Sequence, residues 1–274
     1  MRKCCNFIKV FFRLKKLFVK QNEVPKTNCS QEKHSNNPKS ILSWNIQALF
    51  LFLFPDKLDN IIHELKQFET DVICLQEVFE DSYKERILFE IGQIYPYYLL
   101  GNTKKKHIVG EDSGIMVLSK YDIKFDKEVM LEGMKFPDRF SNRSILYFTI
   151  GEYHFATSHL QANNNQVSKK HLYDLVNYSP FTEYIILGDL NHPKANEIVN
   201  ISKNNEINTY SEYILDYILP MNINTINLDV KVLPINITNV TDHQPIISSL
   251  KDLKNKNNKS REIITKEEIS KKIK

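Results

Sequence analysis

Residues 184–193 read YIILGDLNHP, and this stretch decides how the rest of the chain is interpreted. Residues 184–187 form a short apolar run, which is typical of a buried β-strand. Asp189 and Asn191 follow at once, and Gly188 leaves room for a close approach of the backbone where the chain turns out of the strand. A single strand that ends on a carboxylate and an amide fits an ordinary turn. A functional site would require other strands to end on polar residues as well.

Polar residues border several other short apolar runs in the same way. Strand ends from one edge of a sheet converge in space, so we expect these side chains to gather at one site. The bordering residues are Asn45, Glu77, His159, Asp216, Asp242 and His243.

The chemistry of this set favours a hard divalent cation. Glu77, Asp189 and Asp242 supply carboxylate oxygens, and Asn45 and Asn191 can add amide oxygens. Such ligands suit Mg²⁺, with Mn²⁺ as a second possibility, and the set lacks the thiolates and multiple imidazoles of a zinc site.

Three further residues can complete a hydrolytic site. His243 can take a proton from a water molecule, and Asp216 can hold the far nitrogen of that imidazole. His159 can donate hydrogen bonds to a phosphoryl oxygen as negative charge develops. Together with the cation, this set indicates a metal-assisted phosphoester hydrolase.

The 274-residue chain is 42% hydrophobic, which is enough to form a globular core. Short β-type runs alternate with helical or loop segments, and runs that are apolar on both faces indicate sheets covered by helices. We therefore predict a layered α/β domain with mixed sheets. The predicted strands are 41–44, 72–75, 115–118, 145–150, 154–157, 184–187, 217–219 and 246–249, and the predicted helices are 56–68, 83–94 and 167–176.

Charge divides the chain into a module and two tails. Residues 1–40 carry a net charge of +8 and residues 251–274 carry +5; since the whole chain carries +4, the module of residues 41–250 carries −9. Such an acidic module is a poor match for a long polyanion unless metal ions intervene.

The first twenty residues combine a polar and an apolar stripe at helical spacing. They fit a cationic helix on an anionic membrane surface, with Cys4 and Cys5 as acylation candidates. They fit equally a helix packed on its own domain or a weak targeting peptide. Lys9 and Arg13 interrupt the apolar run that a secretory signal needs, so we expect an intracellular, membrane-associated protein. The sequence contains no P-loop, GxGxxG or HExxH motif, so nucleotide kinases, dehydrogenases and zinc proteases find no support.

Six motifs, taken in order, resemble the endonuclease/exonuclease/phosphatase superfamily, whose fold is the deoxyribonuclease-I-like fold. They are WN at 44–45, DVICLQEV at 71–78, SHLQ at 158–161, GDLN at 188–191, LDYIL at 215–219 and TDHQP at 241–245. The resemblance implies a four-layered α/β sandwich with two central mixed β-sheets flanked by helices and a catalytic pocket where the sheet edges meet.

The resemblance also implies roles for the matching residues. Glu77 would bind the essential Mg²⁺ with help from Asn45, and Asp189 and Asn191 would hold or orient the nucleophile and the phosphate. His243 would act as general base or phosphate contact. Asp216 would support His243.

Within the superfamily, the stretches LQEVFEDS and SHLQA look most like the neutral sphingomyelinase, phospholipase-C-type branch. There the residues matching His159 and Gln161 belong to the site, and Arg143 stands where bacterial members usually have a lysine. We interpret Arg143 either as a phosphate contact or as a solvated residue. Only 24 residues separate Asn191 from Asp216, so the chain lacks room for the hydrophobic hairpin of secreted bacterial members.

We therefore expect a monomeric Mg²⁺-dependent phosphodiesterase that cleaves a phospholipid or sphingolipid, with membrane contact through residues 1–20. A nuclease or a DNA-end or RNA-end processing phosphodiesterase would use the same residues, with nucleic acid as its substrate. A phosphoinositide phosphatase is a third reading. A non-enzymatic scaffold would have lost metal ligands, and none is lost here.

We assign His171 to a solvated helix face and His192 to an exposed loop.

Overall fold

The computed structural model describes residues 37–48, 56–102, 111–199, 201, 208–223, 226–236 and 240–252. The predicted helix of residues 1–20 and its two cysteines lie outside the described residues. The strands are β1 Ser40–Ala48, β2 Val72–Val78, β3 Tyr97–Leu100, β4 Met116–Ser119, β5 Lys124–Met130, β6 Ser144–Ile150, β7 Tyr153–His159, β8 Tyr184–Asp189, β9 Asp216–Met221, β10 Ile226–Val232 and β11 Ile246–Asp252. The helices are α1 Lys57–Gln67, α2 Asp81–Ile91, α3 Asn165–Asn177 and the single turn α4 Ala195–Ile198.

These strands form two mixed sheets. The first sheet has the order β10-β11-β1-β2-β4-β3, and only the β1–β2 pair in it is parallel. The second has the order β5-β6-β7-β8-β9, with a single parallel pair, β7–β8. A parallel pair needs a crossover, which α1 supplies in the first sheet and α3 in the second.

The two sheets pack face to face, and helices cover their outer faces. Alternate residues of β1 show the arrangement, because Ile41 faces the core between the sheets and Leu42 faces the core under α1 and α2. In the second sheet Ile185 faces the core between the sheets, and Ile186 packs in the cluster that contains Leu172 of α3. The predicted four-layered α/β sandwich with two central mixed sheets is therefore confirmed. Among the described residues, no helix is long and apolar enough to cross a bilayer.

Every predicted strand and helix lies on an observed one, but the sequence reading missed three strands. The missed strands are β3, β5 and β10, and each lies at an edge of its sheet. An edge strand keeps one side in solvent and needs fewer apolar residues. In β5, for example, KFDKEVM has no buried residue at all.

Gly188 lies where β8 approaches β7 most closely. Its φ is +143°, and a Cβ atom at this position would lie 2.1 Å from the backbone oxygen of Ser158. The close approach inferred from the sequence is thus observed, and it keeps His159 beside Asp189 in the β7–β8 register.

We predict that Gly188→Ala lowers the free energy of unfolding by about 3 kcal/mol or more, because a methyl group here both strains the backbone and pushes β7 away from β8. Gly133→Ala is the matched control, since Gly133 also has a positive φ (+82°) but no atom within 4 Å of the added carbon. Backbone strain alone should cost the control about 1–2 kcal/mol. Urea unfolding of both variants measures the difference, and equal losses would contradict the steric explanation.

Candidate active site

Strand register brings the polar strand ends of the second sheet into one row. His159 of β7 is the direct partner of Asp189 of β8, and Asp189 is the direct partner of Asp216 of β9. In the first sheet, Asn45 of β1 pairs with Gln76 of β2, next to Glu77. Contacts between β1 and β8 bring the two rows together. The convergence expected from the sequence is therefore present.

Asp189 lies at the centre of the cluster. Its Oδ2 accepts a hydrogen bond from Nδ2 of Asn45 at 3.0 Å and lies 3.4 Å from Nε2 of His159 and 3.7 Å from Nε2 of His243. Burial raises the pKa of the Asp189 carboxyl, and the charge on His243 opposes that shift. A carboxylate held this way needs positive charge nearby to stay ionised at neutral pH.

Asp216 and His243 form a buried pair. Nδ1 of His243 lies 2.8 Å from Oδ2 of Asp216, so Nε2 of the imidazole is the nitrogen that faces Asp189. The backbone oxygen of His243 also accepts a 3.0 Å hydrogen bond from the indole of Trp44. Burial alone lowers the pKa of His243, but Asp216 and Asp189 outweigh burial and raise it. This geometry is the one expected for a general base oriented by a carboxylate.

Glu77 has the features of a cation ligand. Its Oε1 accepts a 3.2 Å hydrogen bond from Asn45 and lies 3.6 Å from Nε2 of His159. Its Oε2 is buried and has no hydrogen-bond partner among the described residues. Burial raises the pKa of Glu77, and Arg143 and Asn45 oppose the shift. A buried carboxylate oxygen without a partner fits direct coordination of a divalent cation.

A second group of possible ligand atoms lies beside Glu77. One atom each from Asp189, Asp216 and His243 lie within 4.8 Å of one another, although Asp216 and His243 were not predicted as ligands. The hydrogen bond between Asp216 and His243 already occupies the facing atoms of these two residues. We therefore regard Glu77 and Asp189 as the residues best placed to hold a cation.

Two of the other predicted ligands, Asn45 and Asp242, are placed differently. Asn45 presents its amide nitrogen to Glu77 and Asp189, while its Oδ1 accepts from the backbone of Gln47. As placed, Asn45 links the two carboxylates instead of adding an oxygen ligand. Asp242 lies at the rim, with a side chain 41% exposed, and its Oδ2 accepts a 2.8 Å hydrogen bond from Gln47. Ligation by Asn45 and Asp242 stays a prediction.

Arg143 is buried, so its interpretation as a solvated residue is wrong. Its Nη2 donates to Oδ1 of Asp138 at 2.9 Å, and its Nη1 contacts Nδ1 of His159. A guanidinium group has no acceptor, so Nδ1 must accept, and the ring proton of neutral His159 then lies on Nε2. Burial lowers the pKa of His159 well below its ordinary value, and Arg143 adds to this effect. Arg143 therefore positions His159 as a neutral donor that faces Glu77 and Asp189.

Asn191 and Gln161 make backbone contacts at the edge of the cluster. The Asn191 amide donates to the backbone oxygen of Leu160 at 3.1 Å, and the Asn191 backbone nitrogen donates to Oδ1 of Asp189. Gln161 is buried, with Oε1 bonded to the backbone nitrogen of Lys135 and Nε2 bonded to the oxygen of Ala162. The structure thus does not bring Gln161 into the cluster, and its predicted contact with substrate stays a prediction.

Two histidines are more buried than the sequence indicated. His171 is fully buried on the inner face of α3 and its Nε2 lies 2.9 Å from the oxygen of Glu132, so its assignment to a solvated face was wrong. His192 is also buried, which contradicts its assignment to an exposed loop. The burial of both histidines depends on contacts between segments that are distant in sequence, and the periodicity of the sequence gives no information about such contacts.

The sequence reading missed a buried lysine beside the site. Nζ of Lys57 donates to Gln47, and burial lowers the pKa of Lys57, while Asp242 and Glu77 raise it. A signal was present, since Lys57 shares the apolar face of α1 with Ile61 and Leu65 at a spacing of four residues. Asp138, the partner of Arg143, gave no such signal.

Three residues at the site have positive φ values without being glycine. They are Gln47 (47°), Glu77 (60°) and Asn191 (47°), each at or just beyond a polar strand end. The β1–β2 register also shifts between Asn45 and Ala48. Positive φ costs a non-glycine residue about 1–2 kcal/mol, and such strain clusters at functional sites.

Comparison with known proteins agrees with this geometry. Residues 42–243 match the family model described as "Endonuclease/Exonuclease/phosphatase family". Sphingomyelinase C of Bacillus cereus is 25% identical over 213 residues, which are 65% of this chain and 62% of the relative. The chain thus spans less than two thirds of the length of that relative.

Solved structures show the shared fold. A variant of beta toxin from Staphylococcus aureus, crystallised with bound magnesium ions, has a TM-score of 0.62 at 17% identity, covering 78% of this chain and all of the other. D. rerio TDP2 in complex with a single-strand DNA product has a TM-score of 0.56 at 18% identity, covering 78% and 99%.

We predict that Arg143→Met frees Nδ1 of His159 and shifts its imidazole from a single Nε2–H tautomer towards a mixture. The ¹⁵N chemical shifts of the imidazole nitrogens report this directly. Arg139→Met, which removes an exposed arginine of the same segment, is the control and should leave the shifts unchanged. Identical His159 spectra in the wild type and Arg143→Met would show that Arg143 does not fix the tautomer.

Proposed function

This chain belongs to the endonuclease/exonuclease/phosphatase family, and from that premise we propose that it is a Mg²⁺-dependent phosphodiesterase of the sphingomyelinase type. The observation that supports the proposal most strongly is the joint placement of two functions. An imidazole oriented by Asp216 lies 3.7 Å from Asp189. Asn45 links Asp189 to Glu77, whose Oε2 has no partner among the described residues. A general base next to a cation ligand is what water attack on a phosphodiester requires.

In the proposed reaction, Nε2 of His243 accepts a proton from the attacking water molecule. The water oxygen forms the new bond to phosphorus, and the bond to the leaving oxygen breaks. That oxygen takes up a proton from solvent, and His243 later returns its proton to solvent. Asp216 holds Nδ1 of His243 and stabilises the imidazolium that forms. Asp189 orients the water, since its Oδ2 lies 3.7 Å from the same imidazole.

Negative charge that develops on the phosphoryl oxygens is stabilised by His159 and by the cation. His159, neutral and protonated on Nε2, donates a hydrogen bond to one such oxygen. Glu77 and Asp189 would hold the cation, with Asn45 fixing the two carboxylates. When bound, a cation of this kind supplies positive charge that polarises the phosphoryl group and offsets the carboxylates that raise the pKa of His243.

The lipid substrate is proposed on two grounds. The relative with 25% identity is named for sphingomyelin, and the described motifs resemble that branch. The module of residues 41–250 also carries −9, which disfavours a long polyanion such as DNA. Nuclease and phosphoinositide phosphatase activities remain alternatives for the same cluster, so the decisive experiment must offer all three substrate classes.

We expect the protein to release phosphorylated head group from sphingomyelin vesicles in the presence of Mg²⁺, and to act more slowly on phosphoinositides and on single-stranded or abasic DNA. Removal of divalent ions with a chelator should abolish turnover. His243→Ala should reduce it by about 10²–10⁴-fold, since it removes the general base. Faster cleavage of DNA than of any lipid would contradict the sphingomyelinase assignment, and full activity with chelator would contradict the mechanism.

We also predict that Mg²⁺ stabilises the fold through Glu77. At about a hundredfold excess over Kd, a bound cation should raise the Tm of the wild type by about 5 °C or more. Glu77→Gln should lose this rise, because the amide cannot supply the charged oxygen. Glu183→Gln removes an exposed carboxylate just before β8 and serves as the control. An equal rise in Glu77→Gln and the wild type would place the cation elsewhere.

A further inference from the structure

The segment between β5 and β6, residues 131–143, exposes two aromatic rings. We call it the aromatic loop. Phe136 is 72% exposed and Phe140 is 37% exposed, and their rings meet edge to face with centroids 6.2 Å apart. Exposed aromatic residues scattered singly are ordinary, but a pair that meets at one loop tip indicates a contact surface.

The aromatic loop is tightly fixed at its base, so the exposure of its rings belongs to an ordered structure. Its backbone and its one buried carboxylate are bonded to α3, to the segment that follows β7 and to Arg143 at the end of the loop itself. The bonds join Glu132 O to His171 Nε2 at 2.9 Å, Lys135 N to Gln161 Oε1 at 2.6 Å, Asp138 Oδ2 to Ala162 N at 2.6 Å, and Asp138 Oδ1 to Arg143 Nη2 at 2.9 Å. A fixed loop presents its tip without paying ordering entropy on contact.

Two cations flank the rings. Lys135 and Arg139 are exposed, and neither forms an ion pair with another described residue. The Arg139 guanidinium carbon lies 5.0 Å from the centroid of the Phe140 ring. Apolar rings next to lysine and arginine are the composition of an interfacial membrane contact, where the rings enter the head-group region and the cations meet lipid phosphates.

The aromatic loop is also linked by hydrogen bonds to the candidate active site. Phe136 is two residues from Asp138, whose carboxylate holds Arg143, and Arg143 contacts His159. Two side chains of the loop, Asp138 and Arg143, therefore connect it to His159, which faces Glu77 and Asp189. A surface bound by this loop would be presented next to the site.

We propose that the aromatic loop is a membrane-docking element that inserts Phe136 and Phe140 into the interface of a phospholipid bilayer, with Lys135 and Arg139 on its phosphates. That the same bilayer supplies the substrate rests on the proposed function; the docking itself does not. Apart from Arg143, no residue of this loop was singled out by the sequence, which assigned membrane contact to residues 1–20.

A bilayer fits this tip better than the other macromolecules do. Two phenylalanine side chains offer about 150–250 Å² each, well below the roughly 800 Å² that a partner buries in a stable protein interface. A nucleic acid strand could stack on the rings, but it would run along a module that carries −9. A bilayer needs to contact only the tip of the loop, and both rings can insert into it.

The first test is co-sedimentation of the full chain with vesicles of phosphatidylcholine and phosphatidylserine, with divalent ions chelated so that no turnover occurs. Replacing both rings (Phe136→Ser with Phe140→Ser) should weaken binding by about tenfold or more, because the apolar burial is lost. Phe89→Ser is the matched control, since Phe89 is 58% exposed on α2, and it should bind like the wild type.

The cations are tested on the same vesicles. Replacing both (Lys135→Gln with Arg139→Gln) should weaken binding about fivefold per charge when phosphatidylserine is present, and much less on pure phosphatidylcholine. Lys124→Gln with Lys251→Gln removes the same charge from two other exposed sites and should have a smaller effect.

Insertion itself is read by fluorescence. The chain has a single tryptophan, Trp44, which is fully buried, so Phe136→Trp adds a reporter against a constant background. Its emission should shift to the blue on vesicles and be quenched by brominated acyl chains, whereas Phe89→Trp should show neither change.

Three results would overturn the proposal: no vesicle binding by the wild type, unchanged binding in the ring variant, or ring-dependent binding of single-stranded DNA with none of vesicles. These results are distinct from failure of the proposed function. A protein that docks through the rings but cleaves no lipid keeps the docking element and loses the substrate assignment. A protein that cleaves vesicle lipid equally well with and without the rings keeps the substrate assignment and loses the docking element.

Discussion

The hydrogen-bonded register of β7, β8 and β9 is the constraint on which the site depends. It sets His159, Asp189 and Asp216 side by side, and a shift of one residue would turn each of them to the opposite face of the sheet. Gly188 permits this register because any side chain there would meet the backbone of Ser158. The row formed by these three side chains is therefore set by backbone pairing first and by side-chain chemistry second.

The packing of the two sheets also has an electrostatic consequence. Packing the two sheets face to face brings Glu77 of the first against Asp189 of the second, so carboxylates from both sheets share a region with little water. Burial raises the pKa of each, which means that ionising them requires compensating charge. Arg143 and the protonated form of His243 supply this charge when no cation is bound. Oε2 of Glu77, which has no hydrogen-bond partner among the described residues, would be free to bind the divalent cation that we propose takes over that role from His243.

The aromatic loop connects this interior to the surface. Asp138 lies at its centre and serves both sides, since one carboxylate oxygen holds Arg143 and the other holds the backbone after Gln161. The ion pair between Asp138 and Arg143 therefore links two features: it holds Arg143, which contacts His159, and it anchors the loop that carries Phe136 and Phe140.

The sequence by itself determined the layered α/β fold, the family, and most of the residues that converge, because strand periodicity and the order of polar strand ends are written along the chain. It missed β3, β5 and β10, whose edge positions need little apolar patterning, and it misplaced His171 and His192. Only the tertiary structure decided that Arg143 turns inward to His159, that Lys57 is buried beside Gln47, and that Phe136 stays in solvent. Each of these depends on contacts that form only in the folded chain. Helical spacing indicated the burial of Lys57 but not its partner Gln47, and it carried no information about Arg143 or Phe136.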